Sequence, residues 1–256
     1  MTNIPLCDKY LFVVTDIHGD YDVFCEYLDL WLEDTTNHIV FTGDLIHNDY
    51  PGVDGSCEIL DLVRVYNEYP TFHVLLGNHE WSQIWGDECY RYFFNQCEEF
   101  YKTVETKYPD NTWSNYNDYI NLLKEFDYYL TTSNGFFISH TGIHEDYLES
   151  IISDGFNVDE FTDITGFDKK LITECIWSRP YDDYTEDTIQ KFLDYMGLEY
   201  MVCGHTPFNP CHILGNQLIF DNSHEKRKYY LKLKLNTPYK DIVEVMKQLH
   251  ELKLKK

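Results

Sequence analysis

Short, wholly apolar runs alternate along this chain with longer stretches whose apolar positions recur every three or four residues. The runs Leu11-Phe12-Val13-Val14, Val40-Phe41, Val74-Leu75-Leu76, Phe136-Phe137-Ile138 and Met201-Val202-Cys203 are rich in β-branched and aromatic residues and predict buried strands. Between the first two, Val23, Phe24, Tyr27, Leu28, Leu30 and Trp31 give a helical stripe that ends in the polar turn Glu33 to Asn37. A second helix is predicted from about Cys57 to Tyr66, carrying Ile59, Leu60, Leu62 and Val63. Strands that alternate with helices imply a largely parallel sheet with right-handed crossovers, an α/β architecture.

The pattern changes after Asn78. From about 80 to 130 the chain is rich in Tyr, Phe, Trp, Asn and Glu without strand alternation, which predicts an inserted stretch of two or three helices. Its aromatics could stack on a base or line a groove, but their helical spacing favours packing. Residues Ile143 to Phe161 are acidic and read as a mobile loop or short helices. Leu171, Ile172, Cys175 and Ile176 form a helical stripe that stops at Trp177-Ser178-Arg179-Pro180, and a helix from Glu186 to Met196 should be capped by Gly197.

Antiparallel signals close the chain. His212 to Leu214 and Gln217 to Asp221 flank Gly215-Asn216 as a hairpin, and Tyr229 to Leu235 alternates as an edge strand with one wet face. Thr237-Pro238 resembles a helix start, with Ile242, Val245, Met246, Leu249 and Leu252 on one face of a basic terminal helix over about 238–256. Site-like strand endings from 16 to 205 tie residues 1–256 into a single domain.

Composition narrows the function classes. The net charge is −24, yet residues 224–256 hold ten Lys/Arg against four Asp/Glu, leaving ten against 40 in the rest. Such a body repels polyanions, so long duplex nucleic acid is not expected as a partner, and the basic tail could dock on the acidic body. No apolar run reaches the roughly 18 residues of a membrane span, and Met1-Thr2-Asn3-Ile4-Pro5 lacks the layout of a signal peptide. A cytoplasmic protein is expected, with no membrane association. The eight cysteines show no CxxC spacing and read as buried, reduced thiols.

The chemistry sits at the strand ends. Asp16 and His18 follow the first strand, Gly43-Asp44 the second, Asn78 and His79 the third, His140 and His205 the later two. Ligand crevices in open α/β sheets lie outside the carboxyl ends of strands, so these endings should converge. Asp16, His18, Asp44, Asn78, His140 and His205 offer mixed carboxylate, amide and imidazole donors that suit two divalent ions sharing Asp44. That donor set favours Mn, Fe, Zn or Ni over Ca. Two such ions clamp a phosphoryl group and generate a hydroxide nucleophile near neutral pH, which points to phosphoester hydrolysis.

At these residues the chain resembles the calcineurin-like metallophosphoesterases, and within them the phosphoprotein phosphatases. The motifs GDxHG, GDxVDRG, GNHE, HGG and a late histidine correspond here to Asp16-Ile17-His18-Gly19, Gly43 to Asp49, Gly77-Asn78-His79-Glu80, His140-Thr141-Gly142 and Gly204-His205-Thr206-Pro207. The short length and the final Gly-His-Thr-Pro look most like the bacterial and phage branch and the related diadenosine tetraphosphatases. The resemblance spans about residues 10 to 235. It implies a four-layer α/β/β/α fold and two ions, with Mn foremost: Asp16, His18 and Asp44 would hold one, and Asp44, Asn78, His140 and His205 the other. It further implies His79 as the acid that protonates the leaving oxygen, Arg179 as a substrate-binding arginine, and Glu80 as a helix cap.

Departures from the family pattern bear on substrate. His47 and Asn48 stand where the family has an orienting aspartate and a phosphate-gripping arginine, which makes both candidate substrate contacts, with His47 alternatively a partner of His79, and Leu76 replaces a second arginine. Bidentate arginine grips matter most for a dianionic monoester. Three readings follow: a phosphomonoesterase of serine/threonine phosphatase type acting on a phosphorylated protein, a phosphodiesterase or pyrophosphohydrolase acting on nucleotide-type substrates, and a weakly active binding or scaffold protein.

Overall fold

Neighbouring residues of one strand pack into different apolar clusters: Leu11 and Val13 into one, Phe12 and Val14 into another, and likewise Phe136 and Phe137. A strand that is apolar at odd and even positions must be covered on both faces, and two stacked sheets with helices outside do this. The computed structural model describes residues 2–50, 52–91, 93–154 and 166–254.

In chain order the first half comprises β1 (Thr2–Ile4), β2 (Tyr10–Val14), α1 (Tyr21–Leu32), β3 (His38–Phe41), α2 (Ser56–Tyr66), β4 (Phe72–Val74) and α3 (Asn78–Trp85). A small hairpin of β5 (Tyr90–Arg91) and β6 (Phe94–Asn95) follows, then α4 (Gln96–Lys107) and α5 (Thr112–Leu123). The middle holds β7 (Tyr129–Thr132), β8 (Phe136–Ser139), α6 (Glu145–Asp154), α7 (Gly166–Ile176) and α8 (Glu186–Met196). Last come β9 (Tyr200–Cys203), β10 (Phe208–Leu214), β11 (Gln217–Asp221), β12 (Tyr229–Lys234), α9 (Ile242–Met246) and β13 (Leu249–Glu251).

One sheet has the order β13-β12-β2-β3-β4, with β2, β3 and β4 parallel. The other runs β1-β7-β8-β9-β11-β10, with β8, β9 and β11 parallel. Their facing surfaces bury Leu11, Val13, Val40, Phe136, Ile138, Val202 and Leu218 together. Outside the first sheet, Phe24 of α1 stacks on Phe41 at 4.9 Å, and outside the second, Phe192 of α8 meets Phe137 edge-on at 4.9 Å. The layers are therefore helix, sheet, sheet, helix. Gly197 caps α8 in the left-handed region at φ 66°, which glycine adopts without a Cβ penalty.

Several elements differ from the sequence reading. The terminal helix is only Ile242–Met246, capped by Asp241 rather than Thr237, after which β13 pairs antiparallel with β12. A single helix face could not serve these residues, because Val245 packs between the sheets and Leu252 into the helix-side core. β12 is consequently no edge strand: β2 and β13 flank it. The inserted stretch holds three helices but also the β5–β6 hairpin, and it gives way at Tyr129 to β7, which pairs with β1 and β8. The run 143–161, read as a mobile loop or short helices, holds α6, and its part over 155–161 lies outside the described residues. No helix among the described residues is long and apolar enough to cross a membrane. All eight cysteines are free thiols.

Candidate active site

Both sheets end at one edge, so Asp16, His18, Asp44, Asn78 and His79 from the first face His140 and His205 from the second. The backbone is bent sharply there. Five non-glycine residues have positive φ among those described, and four are His18 (48°), Asp44 (51°), His47 (71°) and His205 (63°). Such strain persists only where surrounding bonds over-determine it. The N–H groups of Ile17 and His18 both donate to the Asp44 carbonyl, at 2.9 and 2.8 Å. The fully buried Glu80 carboxylate accepts from the backbone N–H of Asp44 (2.7 Å), Leu45 (2.8 Å), Ile46 (3.2 Å) and Gly77 (3.0 Å). Glu80 thus holds the Asp44 turn against the start of α3. Gly77 is required because a Cβ there would lie 2.2 Å from Asp44 Oδ1.

Asp44 is the hub. Its Oδ2 lies 3.9 Å from His18 Nε2, 3.8 Å from His79 Nε2 and 3.5 Å from His140 Nε2, while Oδ1 accepts the His79 backbone N–H at 3.0 Å. His140 Nδ1 is 3.0 Å from the Thr42 carbonyl, to which it must donate, leaving an Nε2 lone pair 2.9 Å from Asn78 Oδ1. Two acceptors at that distance suit joint ligation of a cation. The backbone N–H of His205 donates to both Asp16 oxygens at 3.1 Å. The buried His18 Nδ1 and His205 Nε2 have no hydrogen-bond partner.

Electrostatics agrees with this donor set. Burial, then the charges of Asp221 and Asp44, raises the Asp16 carboxyl well above its usual range. Burial, then Glu80, does the same to Asp44. Burial lowers His18 and His205 and takes His140 to about 3, so these rings present neutral lone pairs. Crowded carboxylates beside neutral imidazoles form a site that divalent cations complete. Two donor groups, one of His18, Asp44 and His79 and one of Asp44, His140 and His205, have Asp44 in common.

The remaining predicted residues fall into a second ring. His47 is buried at 1% exposure, with Nδ1 3.0 Å from His79 Nδ1 and Nε2 2.8 Å from Gln83 Oε1. Its side chain therefore contacts His79 and Gln83. Asn48 lines a cavity of about 710 Å³ beside His18, but its Oδ1 accepts the Tyr50 N–H at 3.0 Å as a turn residue does. Arg179 is exposed at the rim, and its charge acts on Asp44, His140 and His205.

Four participants escaped the sequence reading: Gln83, Arg91, Asp221 and His224. Asp221 had a readable signal, since it ends the apolar run Leu218-Ile219-Phe220 as Asp16 and Asp44 end theirs. Arg91, on β5, pairs with Asp49 at 3.0 Å and lies 3.3 Å from His224 Nε2, while the His224 ring stacks on His18 at 5.4 Å. No local pattern marks Arg91, because only the folding of the hairpin brings it to the flank of His18.

Residues 10–209 match the sequence model of the calcineurin-like phosphoesterases. No curated protein sequence matches the chain. Among solved structures, a protein serine/threonine phosphatase from Saccharomyces cerevisiae with similarity to human phosphatase PP5 aligns at TM-score 0.68 and 16% identity, over 98% of this chain and 82% of that one. A cold-active protein-tyrosine phosphatase from a psychrophilic Shewanella aligns at TM-score 0.66 and 18% identity, over 99% and 82%. At such identities the likeness shows the fold; the family match covers most of the chain, including every strand-end donor from Asp16 to His205. The chain belongs to the calcineurin-like phosphoesterases and is a metal-dependent hydrolase of phosphoesters.

Proposed function

We propose that this protein is a dinuclear phosphomonoesterase of protein-phosphatase type. The carrying observation is the position of Asp44, whose carboxylate stands between His18 on one side and His140 on the other, each donor atom within 4 Å of Oδ2. Asp16, His18 and Asp44 would hold one ion, and Asp44, Asn78, His140 and His205 the other. Mn²⁺ is the ion this reading puts first, and the mixed donors are equally compatible with Fe, Zn or Ni. When bound, the ions would supply positive charge to the phosphoryl oxygens and activate a water as nucleophile.

The protein's own groups do the rest. His79 Nε2, beside Asp44, is placed to give a proton to the departing oxygen. Arg179 borders the second donor group and Arg91 the first, and together they support monoester binding despite the missing cations at positions 48 and 76. A dianionic phosphate gains about 1.5–3 kcal/mol from each charge-assisted bond, which a diester with one charge cannot match. A phosphorylated protein is the substrate class this favours, as the names of both structural neighbours also suggest.

A panel with Mn²⁺ tests the proposal: p-nitrophenyl phosphate, bis-p-nitrophenyl phosphate, a phosphoserine peptide and diadenosine tetraphosphate. The monoester and the peptide should turn over fastest. Preference for the bis ester or the dinucleotide would overturn the monoesterase reading, and no turnover on any would favour a binding role.

A further inference from the structure

We infer that a neutral hydrogen-bonded relay, Tyr116–Gln83–His47–His79, orients the leaving-group acid in place of a carboxylate; the inference rests on the phosphoesterase reading above. In the structure Gln83 Nε2 donates to the Tyr116 hydroxyl at 2.8 Å and Oε1 faces His47 Nε2, also 2.8 Å away. Facing a carbonyl oxygen, Nε2 must carry the proton. His47 Nδ1 is then a lone pair, and the ring nitrogen 3.0 Å from it, His79 Nδ1, must donate. The Cys89 sulfur competes only weakly for that proton, since it is 4.0 Å from His79 Nδ1 and donates to Gln96 Oε1.

The relay leaves His79 Nε2 as the nitrogen that exchanges protons with substrate. In the protonated ring, Nε2–H passes its proton to the leaving oxygen as the P–O bond breaks. The neutral ring retains Nδ1–H on His47, and the leaving group departs as an alcohol. Histidine Nδ1 and aspartate Oδ1 are each one bond beyond Cγ, so His47 sets an acceptor where an aspartate at 47 would set its oxygen. Burial at 1% and 3% exposure fixes the His47 and Gln83 side chains, and the His47 backbone N–H is tied to Ser56 Oγ at 2.9 Å. Tyr116 lies on α5 and Gln83 on α3, so the inserted helices supply the far end of the relay.

A positioning role in acid catalysis shows as dependence on the leaving group. Poor leaving groups need the proton, whereas p-nitrophenolate leaves without it. In Gln83→Leu and in His47→Phe, kcat on phenyl phosphate should fall about tenfold while kcat on p-nitrophenyl phosphate stays within about twofold, with KM and metal content unchanged. His47→Asp should retain phenyl phosphate turnover within about threefold of the parent. Equal losses on both esters, or a His47→Asp as damaged as His47→Phe, would overturn the relay. ¹⁵N-histidine NMR of the Mg²⁺-loaded protein reads the tautomer independently of turnover: His47 should carry its proton on Nε2, and a proton on Nδ1 would overturn the relay. If the parent cleaves neither ester, the monoesterase reading fails while the NMR result still decides the relay.

Discussion

Asp44 concentrates more of the chemistry than any other residue, because its carboxylate touches both donor groups and its backbone is locked by Ile17, His18 and Glu80. Asp44→Asn should abolish hydrolysis of every substrate and lower ion content, measured by activity and elemental analysis; near-normal turnover with two ions bound would refute the shared-ligand reading. Arg91→Ala should raise KM for p-nitrophenyl phosphate about tenfold, the loss of roughly 1.4 kcal/mol of phosphate binding. A pH effect belongs to His73, whose Nε2 lies 3.0 Å from His38 Nδ1 and which burial, then His38, lowers to about 3. Unfolded, it binds a proton near 6.5, so between those values the unfolded chain holds more protons and stability falls as pH falls. Between pH 7 and pH 5 this contributes a loss of about 2 kcal/mol, which urea melts should detect as a steeper pH dependence than in His73→Gln.

At the scale of elements, the C-terminal segment shows how a pattern can fit two structures. Its apolar residues are spaced for a helix, but the exposed edge of β12 has unpaired backbone groups that β13 satisfies through Tyr229↔Glu251, Tyr230↔His250 and Leu231↔Leu249. Docking is therefore by backbone pairing and by burial of Leu252 more than by charge. Truncation after Gln248 should lower Tm, and added salt should leave the decrease unchanged, whereas ion-pair docking would lose the difference as salt screens it. The bared β12 edge should also promote aggregation, readable by light scattering.

Across the whole molecule, two sheets bring acidic strand ends from distant parts of the chain to one edge. Asp16, Asp44, Glu80 and Asp221 are all buried there, and burial and mutual repulsion raise the first two. Cations that bind only the folded form should stabilise it by about 2.7 kcal/mol at a hundredfold excess over Kd. Chelation with EDTA should therefore lower Tm, and Mn²⁺ should restore it; a Tm indifferent to both would argue against ion binding at this edge.

The placement of the strand-end residues was legible because it is local: an apolar run fixes a strand, and the residue just beyond it is delivered to the sheet edge, as with Asp16, Asp44, Asn78, His140 and His205. Helices α1, α2 and α8 were legible for the same reason, since their stripes and the Gly197 cap lie within a few residues. Only tertiary structure decided which sheet each strand joins, because Leu11 and Phe12 are equally apolar and differ only in what covers them. It also decided the pairing of β1 with β7, strands too short to show a period, and the conversion of a helical pattern into β13. A pairing of His47 with His79 could be read from the sequence, but the groups behind His47 could not. Its environment comes from Gln83 and Tyr116, 36 and 69 residues away along the chain, and a side chain's role at such separation is set by packing rather than by spacing.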